Sequence, residues 1–185
     1  SSNLLLQIES EVGHSYGVQC REDCSIANSQ ISLTNNSLIT DGSYDNYGLS
    51  VQSTTGALSV TETAIYINGG VYGAGIYSLG SLVVVKDSSI LTNGSHYASG
   101  IEAACDDMIV RNTSASVLNE LSSGRALFVS GSSGVFSAEN SSFSAPTYQS
   151  VRASGGTLKI ANSMLEGTVS TLGGGSLKCV SAYDE

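Results

Sequence analysis

Charge is scarce in this chain. Lysine and arginine number 7, aspartate and glutamate 16, and together they make up 12% of the sequence, about half the share usual in a globular domain. Tryptophan is absent and proline occurs once. Solubility therefore falls to serine, threonine and asparagine. Their side chains compete for nearby backbone groups, which favours strands and turns over helices. The seven basic residues are scattered and the net charge is −9, which argues against a nucleic-acid partner. No apolar run approaches the ~20 residues of a membrane span. The opening SSNLLLQIES has neither a basic leader nor a small-residue cleavage pattern, and reads as the start of a mature or excised segment. No Cys-x-x-Cys and no close cysteine–histidine set marks a zinc site, so neither metal nor cofactor is expected. Cys20, Cys24, Cys105 and Cys179 read first as small apolar residues buried in a stack. A Cys20–Cys24 disulfide across a bend is the alternative, and would suit an oxidising compartment.

What the chain does have is a repeat. Hydrophobic residues make up 41% of its 185 residues, enough for one domain with a real core. The motif is an apolar residue, any residue, a polar turn residue, Ser or Thr, any residue, then an apolar one. Copies are Ile26-Ala-Asn-Ser-Gln-Ile31, Val60-Thr-Glu-Thr-Ala-Ile65, Val85-Lys-Asp-Ser-Ser-Ile90 and Val110-Arg-Asn-Thr-Ser-Ala115. Asn140-Ser-Ser-Phe143 and Ile160-Ala-Asn-Ser-Met-Leu165 complete the set. Anchored on residues 28, 62, 87, 112, 140 and 162, the steps are 34, 25, 25, 28 and 22, a solenoid period. Before the first anchors stands a Gly-apolar-variable-small unit, as in Gly48-Leu-Ser-Val51, Gly75-Ile-Tyr-Ser78 and Gly100-Ile-Glu-Ala103, and Ala126-Leu-Phe-Val129, Ser150-Val-Arg-Ala153 and Ser176-Leu-Lys-Cys179 continue it. Its period of two marks a strand with one face buried.

The Asn-Ser-x-apolar turn between strand segments resembles the right-handed parallel β-helix repeat of the pectate-lyase-like superfamily. The likeness covers roughly residues 16–185. It implies an all-β chain, a right-handed single-stranded parallel β-helix of about six to seven coils, forming one domain over residues 1–185. Enzymes, tailspikes and adhesins share that fold, so it does not by itself assign a function. Val18, Leu49, Ile76, Ile101, Leu127, Val151 and Leu177 are expected to form one internal column. Cys24, Leu58, Val83, Met108, Phe136 and Leu158 form another. Asn28, Asn112, Asn140 and Asn162 share a turn position that tolerates left-handed backbone. Glu62 and Asp87 occupy the same position, too few for a calcium site. Excursion loops are expected at 35–46 and 118–124.

No capping helix is visible at either end, and uncovered strand edges invite association. The expectation is the C-terminal portion of a longer chain, or ends covered in a homo-oligomer, a trimer as in fibres. The ending Lys178-Cys-Val-Ser-Ala-Tyr-Asp-Glu185 resembles the last coil of exported bacterial β-helix proteins of fibre-tip or adhesin type.

Two surfaces are candidate sites. Three residues before the strand glycines Gly17, Gly75 and Gly100 stand His14, Tyr72 and Tyr97; Gly48 breaks the series with Asp45, and Tyr44, Tyr47 and Tyr148 lie one or two positions off it. Such a stripe could stack on sugar rings or on a protein partner. The alternative is a first-sheet groove of outward residues, Tyr77, Glu102, Arg152 and Lys178, where a lyase or glycoside hydrolase would work. No aspartate cluster faces Arg152 and Lys178. Asp106 and Asp107 lack the glycine, histidine and Arg-x-Lys that would make them a hydrolase pair, and read as a solvated bend. The expected function is a non-catalytic recognition module, secreted or on a cell surface, meeting a surface glycan or cell-envelope ligand. A structural stalk segment is the third reading.

Overall fold

The computed structural model describes residues 4–10, 14–35, 45–93, 96–118, 122–131, 134–181 and 183–184. Among them there is no helix; the strands wind into a parallel β-solenoid of about six turns. Each turn lays one strand on each of three faces. The first face holds β2 (Ser15–Cys20), β5 (Asp45–Val51), β8 (Tyr72–Ser78), β11 (Tyr97–Ala104) and β14 (Ser123–Ser130). The second holds β3 (Cys24–Ala27), β6 (Ala57–Thr61), β9 (Leu82–Lys86), β12 (Asp107–Arg111), β15 (Val135–Glu139), β17 (Thr157–Ala161) and β19 (Ser176–Val180). The third holds β1 (Leu5–Ser10), β4 (Gln30–Asn35), β7 (Ala64–Gly69), β10 (Ser89–Asn93) and β13 (Ser114–Leu118). Two strands, β16 (Ser142–Ser154) and β18 (Met164–Leu172), start on the third face and turn the corner onto the first. They join those faces into one 13-stranded sheet beside a separate 7-stranded one. The last strand, β20 (Tyr183–Asp184), pairs with β18.

The expected columns form. Val18, Leu49, Ile76, Ile101, Leu127 and Val151 are paired rung to rung. Cys24, Leu58, Val83, Met108, Phe136 and Leu158 are paired in the same way. From Leu49 and Leu58 onward both columns are fully buried. Each such side chain contributes about 1.5–3 kcal/mol by leaving water. One assignment needs correction. Leu177 continues the second column, opposite Leu158, while Val169 stacks on Val151. The reason is the short final turn: β18 itself carries the chain around the corner, so the next strand, β19, is already on the second face.

The turn between the second and third faces is built as its residues require. Asn28, Glu62, Asp87, Asn112, Asn140 and Asn162 all have φ between +48° and +50°. Asparagine and aspartate visit this left-handed region at the lowest cost after glycine. The hydroxyls of Ser29, Thr63, Ser88, Thr113, Ser141 and Ser163 donate to the carbonyl two residues earlier, at 2.6–2.9 Å. The same oxygens of Ser88, Ser141 and Ser163 accept the backbone N–H of Thr63, Thr113 and Ser141 one rung below, each at 3.2 Å. The Ser/Thr of the motif is thus a vertical pin between turns. The Asp87 carboxylate accepts from Asn112 Nδ2 at 2.9 Å, which places it inside this ladder.

Cys20 and Cys24 form a disulfide, with Cα atoms 5.9 Å apart, so the alternative expectation for that pair holds and the buried-thiol expectation does not. Of the other two, Cys105 is buried and Cys179 is exposed. Cys179 points along the inward series, opposite Ile160, but stands in the outermost rung of the second sheet. Residues 36–44 and 119–121, within the expected excursion loops, lie outside the described residues.

Candidate functional site

The first sheet has an unusual strand. A regular strand sends residues i and i+3 to opposite sides. Here the burial of β8 and β11 reads four buried residues in succession, at 73–76 and 98–101. The alternation slips one position at the stacked glycines Gly48, Gly75 and Gly100, which the ladder register skips. After the slip, i and i+3 share the outer face. Two outward columns result: Tyr16, Tyr47, Ala74, Ser99, Arg125 and Gln149, and beside it Gln19, Ser50, Tyr77, Glu102, Phe128 and Arg152.

These columns assemble an aromatic cluster. Tyr47 is its centre. Its ring stacks on Tyr16 at 5.4 Å and leans against Tyr77 at 4.9 Å and Tyr72 at 5.8 Å. Aromatic pairs at such distances contribute about 0.5–1.5 kcal/mol beyond their burial. The Tyr72 hydroxyl donates a hydrogen bond to Glu102 Oε2, which also accepts from Ser99 Oγ at 2.9 Å. Further along, the Arg125 guanidinium lies 4.7 Å from the centre of the Phe128 ring and that of Arg152 5.6 Å from it. The face therefore runs from tyrosines, through one carboxylate, to an arginine–phenylalanine–arginine group.

The stripe and the groove expected from the sequence merge over much of their extent. Tyr47 and Tyr72 meet Tyr77 and Glu102. His14, Tyr97 and Tyr148 stand apart. His14 Nδ1 accepts the Asp45 backbone N–H at 3.1 Å and lies 3.5 Å from its carboxylate. Tyr97 is paired in register with Tyr72, yet its ring packs edge-on against His96 at 4.9 Å and remains exposed. Tyr148 sits at the corner of β16, where its carbonyl accepts from Thr168 Oγ1. Tyr44 lies outside the described residues. Lys178 leaves the groove altogether, because β19 belongs to the second sheet and Lys178 stands opposite Lys159; Ser170 is the residue opposite Arg152. Arg125 and Ser99 are site residues that the sequence hides, since simple alternation turns them away from Phe128 and Glu102.

Burial governs the electrostatics. It pushes the hydroxyls of Tyr47, Tyr72 and Tyr77 above the usual tyrosine range, and nearby carboxylates add to it: Asp45 most for Tyr47, Glu102 most for Tyr72 and Tyr77. All three remain neutral phenols able to donate. The fold favours their protonated form, whereas in the unfolded chain they ionise near pH 10. Their contribution is therefore complete below about pH 10 and is lost as pH rises through the raised folded values. In an alkaline titration followed by phenolate absorbance, these tyrosines should ionise only together with the loss of strand circular dichroism. A native protein that ionised all 9 of its tyrosines in one step near pH 10 would contradict this packing.

The bend at Asp106 and Asp107 is open to solvent, and Asp107 Oδ1 accepts the Val135 backbone N–H at 3.2 Å. Burial, then these two carboxylates, push the Cys105 thiol up to about 12, so it is not a thiolate at neutral pH. The comparisons with known proteins find no match to this chain among family models, curated proteins or solved structures.

Proposed function

We propose that the chain is a non-catalytic recognition module whose first-sheet face binds a glycan, displayed outside the cell within an adhesin or fibre tip. The observation that carries this reading is the contact cluster of Tyr16, Tyr47, Tyr72 and Tyr77 on one outer face. Tyrosine offers a flat apolar surface and a polar tip, the pairing that stacks on sugar rings while bonding their hydroxyls. Ring–ring contacts hold the cluster in place, so little side-chain entropy remains to be lost on binding. The Cys20–Cys24 disulfide supports placement in an oxidising compartment. Likeness to the pectate-lyase-like repeat is compatible with carbohydrate as the ligand.

The carboxylates support binding rather than hydrolysis. Asp45 and Glu102 stand two rungs apart and five residues offset along the strand. Glu102 is the one acidic residue on the three central strands β8, β11 and β14, so no second carboxylate on that face flanks it on its own or an adjacent rung as a paired glycosidase acid requires. Glu102 is instead engaged by Tyr72 and Ser99 as a fixed acceptor.

A printed glycan array tests the proposal. Wild type should give discrete signals, and a Tyr47→Ala/Tyr77→Ala variant should lose them at least tenfold while keeping the wild-type strand spectrum. Equal signals from both proteins would remove the cluster from the function. Release of reducing or unsaturated sugars by wild type would replace recognition with catalysis.

A further inference from the structure

Acidic side chains outnumber basic ones in this chain, 16 to 7, so an arginine has carboxylates to spare as partners. Arg111 follows the expected pattern, pairing with Glu139 at 3.2 Å. Arg125 and Arg152 do not. They converge on Phe128 from two adjacent rungs, and among the described residues no carboxylate lies within ion-pair distance of either. The nearest outward acid in the ladder, Glu102, takes its hydrogen bonds from Tyr72 and Ser99. Glu166, on the strand beyond, accepts from Ser144 at 2.6 Å. Arg152 Nε is buried without a hydrogen-bond partner. Burial and the neighbouring Arg125 both act against the Arg152 charge. Two like charges are thus held together over one ring, with their natural counter-ions turned elsewhere.

We infer that Arg125 and Arg152, seated on Phe128, form a subsite for an oxyanion carried by the glycan, a carboxylate or a sulfate group. This rests on the glycan-binding reading and adds the ligand's charge to it. A guanidinium stacked on an aromatic ring uses its face; its planar N–H edge remains available, and that edge matches the two oxygens of a carboxylate or sulfate. An incoming anion relieves the repulsion between the arginines and accepts from their terminal guanidinium N–H groups, which charge makes the stronger donors. The order along the face also sets orientation. Tyrosine rings lie at one end, Glu102 in the middle, and the cationic pair at the other. An acidic group directed toward Glu102 would be repelled, so a ligand binds with its anion over Phe128 and a neutral ring toward Tyr77.

The test uses an array carrying neutral, uronate-bearing and sulfated oligosaccharides. Wild type should bind one anionic class at least tenfold better than neutral members of the same length, and the class that binds identifies the oxyanion. Arg125→Gln/Arg152→Gln should abolish that preference and leave residual binding to the tyrosine end. Arg125→Lys/Arg152→Lys should restore only a fraction of it, because lysine keeps the charge without the planar fork. A preference for anions that survives the glutamine pair, or equal binding of neutral and anionic members by wild type, overturns the subsite while the tyrosine reading stands. No binding to any member overturns both.

Discussion

Gly75→Ala should cost the fold about 3 kcal/mol, the upper end for overpacking a closed core. A Cβ at this position would lie 2.1 Å from Ile90 Cγ2 and 2.8 Å from the Gly100 carbonyl oxygen. Neither can retreat easily: Ile90 is 2% exposed, and the carbonyl belongs to the next rung of backbone. The glycine column runs Gly17, Gly48, Gly75 and Gly100, and the first three face the Cγ2 atoms of Ile31, Ile65 and Ile90. In the later turns, where the third face presents Phe143 and Leu165, the position carries Ala126 and Ser150. The β-branch of isoleucine therefore contributes to the demand for glycine. Ile90→Leu moves that branch outward and should recover some of the loss in Gly75→Ala/Ile90→Leu, a coupling readable in urea denaturation. A single Gly75→Ala variant within 0.5 kcal/mol of wild type would mean that the rungs do not stack as described. The slip along this column, at Gly100 and at Ala126, also turns Ser99 and Arg125 outward, so binding to the proposed face should fall along with stability.

Phe136→Ala should cost about 3–5 kcal/mol, the largest loss available in the second column. Phe136 is fully buried between Met108 and Leu158, and it is bulkier than any other member of that column. Its ring is accommodated by glycine. A Cβ added at Gly131, Gly134 or Gly156 would come within 2.9, 2.8 and 2.6 Å of its ring atoms. Three glycines around one ring offer no side chain to fill the void, which leaves only Met108 and Leu158 above and below to relax into it, so much of the cavity term should remain. Phe136→Leu should cost markedly less than alanine. A loss under 1 kcal/mol for Phe136→Ala, measured by thermal or urea unfolding, would show that the site collapses.

Much of this architecture is legible in the residues. The anchors 28, 62, 87, 112, 140 and 162 mark a turn that requires left-handed backbone, and all six adopt it. Both internal columns follow from the same spacing. The errors have two physical sources. Repeat spacing puts Lys178 and Leu177 on the wrong face because β16 and β18 run through a corner without breaking, which removes the local signal of a turn. Strict alternation divides the site into a stripe and a groove because it ignores the slip at Gly48, Gly75 and Gly100. The phase shifts by one there and again at Ala126, and Arg125 meets Phe128 three residues away on the same side. Tyr97 shows a further limit: register places it beside Tyr72, but rotamers send one ring to His96 and the other hydroxyl to Glu102.

The corner joining the third and first faces has its own amide network. Asn35 Nδ2 donates to Asn46 Oδ1 at 3.2 Å, Asn46 Nδ2 to the Gly69 carbonyl at 3.1 Å, and Asn93 Nδ2 to Asn68 Oδ1 at 2.9 Å. These amides are satisfied by partners on neighbouring rungs, which ties the edge of the binding face to the core.

Every described ladder is parallel, and each strand pairs with one that lies a full turn away, as β9 does with β12, where Leu82 stands opposite Asp107, and β10 with β13, where Ser89 stands opposite Ser114. Hairpins are impossible under such a connection, so no pair of adjacent strands can start the assembly alone. Closing a loop of some two dozen residues must precede each new pairing, with the entropy of that closure lost before any contact rewards it. Slow acquisition of the native state is therefore inherent in the winding itself, and would persist through any substitution that leaves the number of residues per turn unchanged.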